Sequence, residues 1–228
     1  SSGIALAEGI RRLIPAARRP RVVAFSFGVH VSSFALMELG DHIRSFTVSG
    51  CSALGLRKRD MPGFPKERSA MGAAERADVH RQVLAMLMIA RPERIDDLAI
   101  TLQAANVRRA RFRSREFALT DEVRRNLEHV RVPLRAIWGE KDIVAVPSVE
   151  RVLEVIGEHH PELISAVIPD AGHWVMYEQP DAYNAALLEL CSELGVDCLD
   201  LAALLPRGTR VFYDDVHFNE EGARRVAA

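Results

Sequence analysis

The chain has 228 residues, of which 48% are hydrophobic and 27% are charged, and its formal net charge at pH 7 is −1. This composition is typical of a globular protein with one sizeable core and room for a small second unit. The near-neutral charge argues against a nucleic-acid partner, and no apolar run approaches the length of a membrane span, so we expect no membrane partner either.

The first fifty residues predict a helix, a strand, a second helix and a second strand, in that order. Residues 4–18 place apolar side chains at helical spacing, and the β-branched run Val22–Phe25 then favours a strand. A helix is predicted over 29–39, ended by Gly40 in the C′ position, and the next strand over Ile43–Gly50. A strand, a crossover helix and a strand of this length predict a parallel pair with a right-handed connection.

Residues 51–130 differ in character and predict a helical insertion. Helices are expected over Ala73–Ala90, over about Pro92–Val107 and over about Thr120–His129, the last with Thr120 as its cap. The chain therefore leaves the strand pattern after the second strand and resumes it only at about residue 132.

Two further strands are predicted after the insertion. One is the apolar run Val132–Gly139, and the other is Ile164–Ile168. Helices over Pro147–His159 and Tyr177–Leu190 follow them. Four strands joined by helical connections predict an α/β protein with a parallel sheet flanked by helices.

Ser26 stands where the first predicted strand ends and the next helix begins. With Ala24 and Gly28 around it, the run matches a nucleophile elbow, G-x-S-x-G, with alanine in the first glycine position. Such a turn exposes the serine hydroxyl, and the backbone N–H of the following residue, Phe27, can face a developing oxyanion. A buried strand that ends in Ser-x-Gly is common without any catalytic role, so the motif alone is weak evidence.

Two later strands end near residues that complete this pattern. Asp142 follows the strand that ends at Gly139, and His173 lies in the turn after the strand Ile164–Ile168. Each also has a purely structural interpretation, Asp142 as a helix cap or turn residue and His173 as a half-buried histidine. Asp170 is a rival acid, and because it lies three residues before His173 we expect it to shape the turn instead.

In this chain order and at these strand ends, the serine, acid and histidine resemble those of the α/β-hydrolase family over about residues 1–190. The resemblance implies a partial α/β-hydrolase fold with its core in residues 1–50 and 131–190, without the family's N-terminal strands. It also implies that residues 51–130 form a helical cap or lid.

The same resemblance implies a serine hydrolase that acts by acyl transfer through a Ser-Asp-His triad. Ser26 would be the nucleophile, His173 the general base, and Asp142 the residue that orients the imidazole and stabilises its charge. A small carboxylic ester is the expected substrate and small-molecule partner, and cleavage of an amide or a carbon–carbon bond remains open. No cofactor is expected.

The family's first strands normally carry a second oxyanion donor, whereas the only donor identifiable in this sequence is Phe27 N–H. The strand that begins at Val22 would also form an unpartnered sheet edge. We therefore expect either a piece of a longer protein or a chain that completes its sheet through another copy, as a homo-oligomer.

The C-terminal segment, residues 191–228, resembles the last block of SGNH/GDSL hydrolases, a likeness that covers about residues 186–228. That family uses an Asp-x-x-His pair, which here would be Asp214 and His217. An alternative function is therefore the tail of an SGNH/GDSL esterase. A third is a non-catalytic hydrolase-like fragment that acts as a binding module.

The three cysteines, Cys51, Cys191 and Cys198, are odd in number and lack the spacing of metal ligands. We interpret them as free thiols in a reducing compartment, which favours a cytoplasmic location. The histidines are scattered along the sequence rather than placed at ligand spacing, so no metal site is expected.

Overall fold

The computed structural model describes residues 2–57, 63–110 and 114–193. The chain divides into two units, residues 1–183 and 184–228. The strands and the candidate site lie in the first unit, and of the second unit residues 184–193 are described, as part of a helix. Three residues singled out in the sequence lie outside the described part: Asp214, His217 and Cys198.

Four strands form one parallel sheet, which confirms the predicted α/β fold. They are β1 (Arg21–Phe25), β2 (Ser45–Ser49), β3 (Leu134–Gly139) and β4 (Ile164–Ile168). Their order in the sheet is β1-β2-β3-β4, and every neighbouring pair is parallel. The carboxyl ends of all four strands therefore lie at one edge, where the residues that follow them can meet.

Helices connect the strands and flank the sheet. The α-helices are α1 (Ser2–Leu13), α2 (Phe27–Leu39), α3 (Ala73–Val83), α4 (Asp97–Arg109), α5 (Glu122–Leu127), α6 (Val149–Gly157), α7 (Val175–Glu178) and α8 (Pro180–Glu193). A π-helix, Leu84–Met88, directly follows α3. Four 3₁₀ turns are also described: Ala16–Arg18, Gly40–His42, Pro92–Arg94 and Ser114–Leu119. Within the described residues, none of these helices combines the length and apolar character needed to cross a bilayer.

The core lies on the two central strands. Every residue of β2 and β3 is buried, as expected for a parallel sheet covered on both faces. Phe46 and Trp138, both fully buried, contribute the largest side chains to this core. The insertion has a smaller apolar cluster of its own, which includes the fully buried Leu84 and the nearly buried Ile100.

Strands β1 and β4 form the two edges of the described sheet. Val23 of β1 is 53% exposed and Val167 of β4 is 44% exposed, in contrast to the buried central strands. An edge strand offers backbone groups with which another strand can pair. The expected pairing of β1 with another copy of the chain remains a prediction.

Two helices that were predicted as continuous are each interrupted in the structure. The helix predicted over Ala73–Ala90 is α3 followed by the π-helix, and it ends at Met88 because Ile89 is extended (φ −122°, ψ 118°). The helix predicted over Tyr177–Leu190 is divided into α7 and α8. Pro180 causes the break, since it has no N–H to continue α7 and its fixed φ suits the start of a new helix.

Three other helices begin later than predicted. One is α4, predicted from about Pro92, which begins at Asp97 after a 3₁₀ turn. Thr120 is not the cap of α5, because its hydroxyl donates to Phe117 O (2.8 Å) and Asp121 occupies the N-cap position. The helix predicted from Pro147 begins only after Ser148, whose hydroxyl accepts a hydrogen bond from Arg151 N (3.3 Å). In α6 this side-chain hydrogen bond marks where the helix starts, whereas the N-cap Asp121 of α5 makes no such bond.

Candidate active site

Ser26 lies in the tight turn between β1 and α2. Its φ is 51° and its ψ is −122°, a backbone conformation that favours glycine and is strained for serine. Ser26 N donates to Ser49 O of β2 (2.9 Å), and Val29 N donates to Ser26 O (3.0 Å). The neighbouring strand and the first turn of α2 thus hold the strained residue in place.

The serine, histidine and acid predicted from the sequence lie in hydrogen-bond contact. His173 Nε2 is 3.0 Å from Ser26 Oγ, and His173 Nδ1 is 3.0 Å and 3.1 Å from the carboxylate oxygens of Asp142. If Nδ1–H donates to the carboxylate, Nε2 is the acceptor for the serine proton. His173 and Asp142 are 3% and 5% exposed, so water competes weakly for the hydrogen bond between them.

The turn after β3 holds Asp142 through its own backbone and side chain. Asp142 N donates to Gly139 O (3.1 Å), and Ala145 N donates to Asp142 O (3.1 Å). The carboxylate oxygen Oδ1 also accepts a hydrogen bond from Val144 N (2.8 Å). Asp142 is therefore a turn residue, as one interpretation of the sequence predicted, and it contacts His173 at the same time.

The turns that carry Asp142 and His173 pack against each other backbone to backbone. Lys141 N donates to Ala171 O (2.8 Å). A Cβ atom on Gly139 would lie 2.3 Å from Gly172 O and 2.4 Å from Ala171 O, so no side chain fits at that strand end. The absence of a side chain at position 139 is what lets the acid and the histidine approach.

The rival acid, Asp170, pairs with Lys141 rather than with His173. Its side chain is 60% exposed, and its carboxylate is paired with Lys141 Nζ at 2.5 Å. The hydrogen bond and the positive charge of Lys141 lower the pKa of the Asp170 carboxyl. Asp170 has a positive φ of 55°, so it shapes the turn after β4, as the sequence predicted.

Gly50 is a site residue that the sequence reasoning missed. It follows β2 with a φ of 58°, and a Cβ atom there would lie 3.0 Å from His173 Cε1 and 2.9 Å from Phe25 Cε2. The Phe25 ring itself packs against the imidazole, with 4.9 Å between ring centroids. The only available signal was a glycine at the end of the strand next to the elbow.

A second missed residue, Glu178, contacts Gly172 beside His173.

Phe27, the proposed source of an oxyanion donor, is the first residue of α2. The N–H groups in the first turn of a helix point out of its N-terminal end, and in α2 that end lies directly after Ser26. The Phe27 ring stacks on His30, with centroids 5.4 Å apart, and meets the edge of Phe117 of the insertion at 6.1 Å. Burial lowers the pKa of His30, and the nearby Glu122 carboxylate opposes that shift.

Cys51 lies directly after Gly50 and is buried as a free thiol. Burial is the main cause that raises the pKa of the thiol far above its usual value, and the negative charge of Asp142 adds to it. The thiolate nucleophile therefore does not form at neutral pH. In the part of the chain that the structure describes, no three His, Cys, Asp or Glu side chains form a group that could hold a metal ion.

The family model for the alpha/beta hydrolase family matches residues 2–186. Among solved structures, a thermophilic esterase is similar at 21% identity over 86% of this chain and 73% of that chain, with a TM-score of 0.62. A meta-cleavage product hydrolase variant from Pseudomonas fluorescens is similar at 17% identity (85% and 72% of the two chains, TM-score 0.61). A bromoperoxidase from Bacillus anthracis is similar at 17% identity (82% and 72%, TM-score 0.55). No match was found among curated proteins.

At these sequence identities the solved structures show only that the fold is shared. The family model, which matches most of the chain, shows that the chain is a member of the family. The matched range includes the elbow at Ser26 and the turns that carry Asp142 and His173, and it ends before residue 187. The SGNH-like resemblance of the C-terminal segment receives no support from these findings. The family match supports an enzyme with hydrolase activity, and the chain belongs to the alpha/beta hydrolase family.

Proposed function

We propose that the chain is a serine hydrolase that acts by acyl transfer on a small carboxylic ester. The observation that carries the proposal is the continuous contact from Ser26 Oγ to His173 Nε2 (3.0 Å) and from His173 Nδ1 to Asp142 (3.0 Å). A hydroxyl, an imidazole and a buried carboxylate in that order form the arrangement that activates a serine nucleophile.

The chemistry begins with proton transfer from Ser26 Oγ to His173 Nε2 as the oxygen attacks the ester carbonyl carbon. Asp142 stabilises the imidazolium that forms, and Phe27 N–H donates to the oxyanion of the tetrahedral intermediate. The C–O bond to the alcohol then breaks, and His173 gives the proton to the leaving alkoxide. Water attacks the acyl-enzyme with His173 as base, and the same proton route in reverse restores Ser26 and releases the carboxylic acid.

The choice of an ester rests on the nucleophile and on the neighbours of the fold. A serine at the elbow supports an acyl-enzyme. One similar structure is an esterase, which supports the ester class, and another is a meta-cleavage product hydrolase, which keeps carbon–carbon bond cleavage as the second chemistry of the same triad. The bromoperoxidase neighbour supports neither chemistry directly.

We also propose that residues 51–130 act as the cap of this site. Trp174, which directly follows His173, donates its backbone N–H to Met88 O of the insertion (2.8 Å). Tyr177 donates its hydroxyl to Asp96 Oδ1 of the insertion (2.5 Å). The insertion and the histidine turn are thus joined at several points, as a cap over the acid and histidine requires.

Active-site labelling tests the proposal. The folded chain should react with a fluorophosphonate at Ser26, located by peptide mass spectrometry, and should hydrolyse p-nitrophenyl acetate. Ser26→Ala should lose both reactions. Ser148→Ala should keep both, because Ser148 is the N-cap of α6 and lies outside the triad. A folded chain with no adduct on Ser26 and no turnover would contradict the proposal and favour the binding-module alternative.

The same assays separate the alternative SGNH-like pair from the triad. If Asp214 and His217 served the reaction, His217→Ala would abolish turnover while His173→Ala would leave it unchanged. We expect the reverse, since His173 contacts both Ser26 and Asp142. A loss of turnover on His217→Ala alone would move the proposed active site to the C-terminal segment.

A further inference from the structure

A buried carboxylate, that of Glu178, joins the turn of His173 to the insertion. Glu178 is the last residue of α7 and is 0% exposed. Its oxygen Oε2 accepts hydrogen bonds from Gly172 N (2.6 Å) and Ala90 N (3.0 Å), and its oxygen Oε1 accepts one from Arg91 N (3.0 Å). A charge without partners would be strongly unfavourable at such a buried position. Here the three backbone donors satisfy it, and Arg91 Nε lies 3.9 Å from Oε1 as a positively charged partner.

These hydrogen bonds bracket the histidine. Gly172 immediately precedes His173 and donates to the Glu178 carboxylate, while Trp174 immediately follows it and donates to Met88 O (2.8 Å). The guanidinium of Arg91 donates back to Glu178 O (3.0 Å). The backbone on both sides of the imidazole is therefore held by residues 88–91 or by the carboxylate bonded to them.

Residues 88–90 pack against Gly172 without room for a side chain at position 172. A Cβ atom on Gly172 would lie 2.8 Å from Ala90 N, 2.9 Å from Met88 O and 3.1 Å from Glu178 Oε2. The segment that follows the π-helix thus fills the space that a side chain at position 172 would occupy. The backbone of residues 88–90 and the backbone of the histidine turn are therefore in direct contact.

We propose that Glu178 is a positioning residue for the hydrolase reaction, which couples the docking of insertion residues 88–91 to the placement of the His173 imidazole. In this view the imidazole reaches Ser26 and Asp142 only while the carboxylate holds Gly172, Ala90 and Arg91 together. The inference rests on the proposed function, because it assigns Glu178 a role in placing the base of that reaction.

The role requires a carboxylate and not merely a polar side chain of that size. Both oxygens of Glu178 accept, whereas a glutamine has one accepting oxygen and one donating NH₂ group. In Glu178→Gln the NH₂ group would face either Arg91 N–H or the pair of N–H groups from Gly172 and Ala90. Donor would meet donor in both orientations, so at least one of the contacts that bracket His173 must open.

The test compares Glu178→Gln with Tyr177→Phe, which removes another link between α7 and the insertion, the hydroxyl contact with Asp96. For Glu178→Gln we expect kcat and the rate of fluorophosphonate labelling at Ser26 to fall roughly 10- to 100-fold, with KM changed by less than about threefold. The downfield NMR signal of the His173 Nδ1 proton should shift or broaden. Tyr177→Phe should leave all of these readouts within about twofold of the starting protein.

The inference is overturned if Glu178→Gln labels within about twofold of the unmodified rate with an unchanged Nδ1 signal, or if Tyr177→Phe loses as much. If Glu178→Gln does not fold, Glu178→Asp decides by the same readouts. It keeps two accepting oxygens but is shorter by one methylene, so it cannot reach Gly172 N, Ala90 N and Arg91 N together. Failure of the proposed function is a separate result, because the unmodified chain itself would then not label at Ser26.

Discussion

Replacing Gly50 by alanine tests the packing of the candidate site with one methyl group. The added Cβ would lie 2.9 Å from Phe25 Cε2, 3.0 Å from His173 Cε1 and 3.2 Å from His173 Nδ1. Ordinary carbon contacts begin near 3.4 Å, so the imidazole must move by about 0.4 Å and the phenyl ring by about 0.5 Å. Either movement displaces the hydrogen bonds from His173 to Ser26 and to Asp142.

The magnitude follows from two separate effects. An alanine at positive φ costs about 1–3 kcal/mol of backbone strain, whatever surrounds it. Displacement of a catalytic group by about 1 Å costs on the order of 100-fold in rate, so a shift of about 0.4 Å corresponds to roughly five- to tenfold in kcat. We therefore expect Gly50→Ala to lose about 1–3 kcal/mol of stability and roughly five- to tenfold in kcat.

Gly40→Ala is the matched control. Gly40 also has a positive φ, 48°, but a Cβ atom there would have no neighbour within 4 Å. Urea unfolding should show a loss from backbone strain in both variants and an additional loss from crowding in Gly50→Ala, and p-nitrophenyl acetate hydrolysis should fall in Gly50→Ala alone. Equal kcat values in the two variants, with both folded, would refute the reasoning that crowding by the methyl group displaces His173.

Three further predictions concern the acid, the insertion and the response to pH. Asp142→Asn should lower kcat by on the order of 10³–10⁴ without unfolding the chain, and a loss under about tenfold in ester hydrolysis would contradict its role. Leu84→Ala should lower the free energy of unfolding by about 2–5 kcal/mol, because Leu84 is fully buried, whereas Met86→Ala, at a 43% exposed position, should change it by less than about 0.5 kcal/mol. Urea titration measures both, and equal losses would argue against a packed insertion core. Burial lowers the pKa of His160, so the unfolded chain binds more protons below about pH 6.5 and the free energy of unfolding should fall as the pH falls through that window. His160→Gln should flatten this fall in urea titrations at about pH 7 and pH 5, and an unchanged slope would contradict the assignment.

The strands and the three candidate catalytic residues were predictable because their signals are local. Apolar β-branched runs between polar breaks placed all four strands to within a few residues. Parallel strands put their carboxyl ends at one edge, so Ser26, Asp142 and His173, each placed shortly after a strand, were expected to be near one another. Chain order then selected the family.

Contacts between distant segments were not predictable from one sequence. Gly50 matters because His173 and Phe25 crowd the space above it, and neither residue is its neighbour in sequence. Glu178 looks like an ordinary acid near a helix boundary, yet its partners Ala90 and Gly172 lie on two other segments. The unbroken helix predicted over the insertion failed for the same reason, because residues after Met88 leave helical geometry and bond to the histidine turn.

Asp142 shows why a structural and a functional interpretation of one residue need not compete. A carboxylate has about four acceptor positions, and Asp142 uses one of them on Oδ1 for Val144 N at 2.8 Å. That hydrogen bond fixes the rotation of the carboxylate, so both oxygens can meet His173 Nδ1 at 3.0 Å and 3.1 Å. The turn contact that made Asp142 look like a cap is thus the contact that orients it toward the imidazole, and a residue suited to both tasks is a stronger candidate than one suited to either.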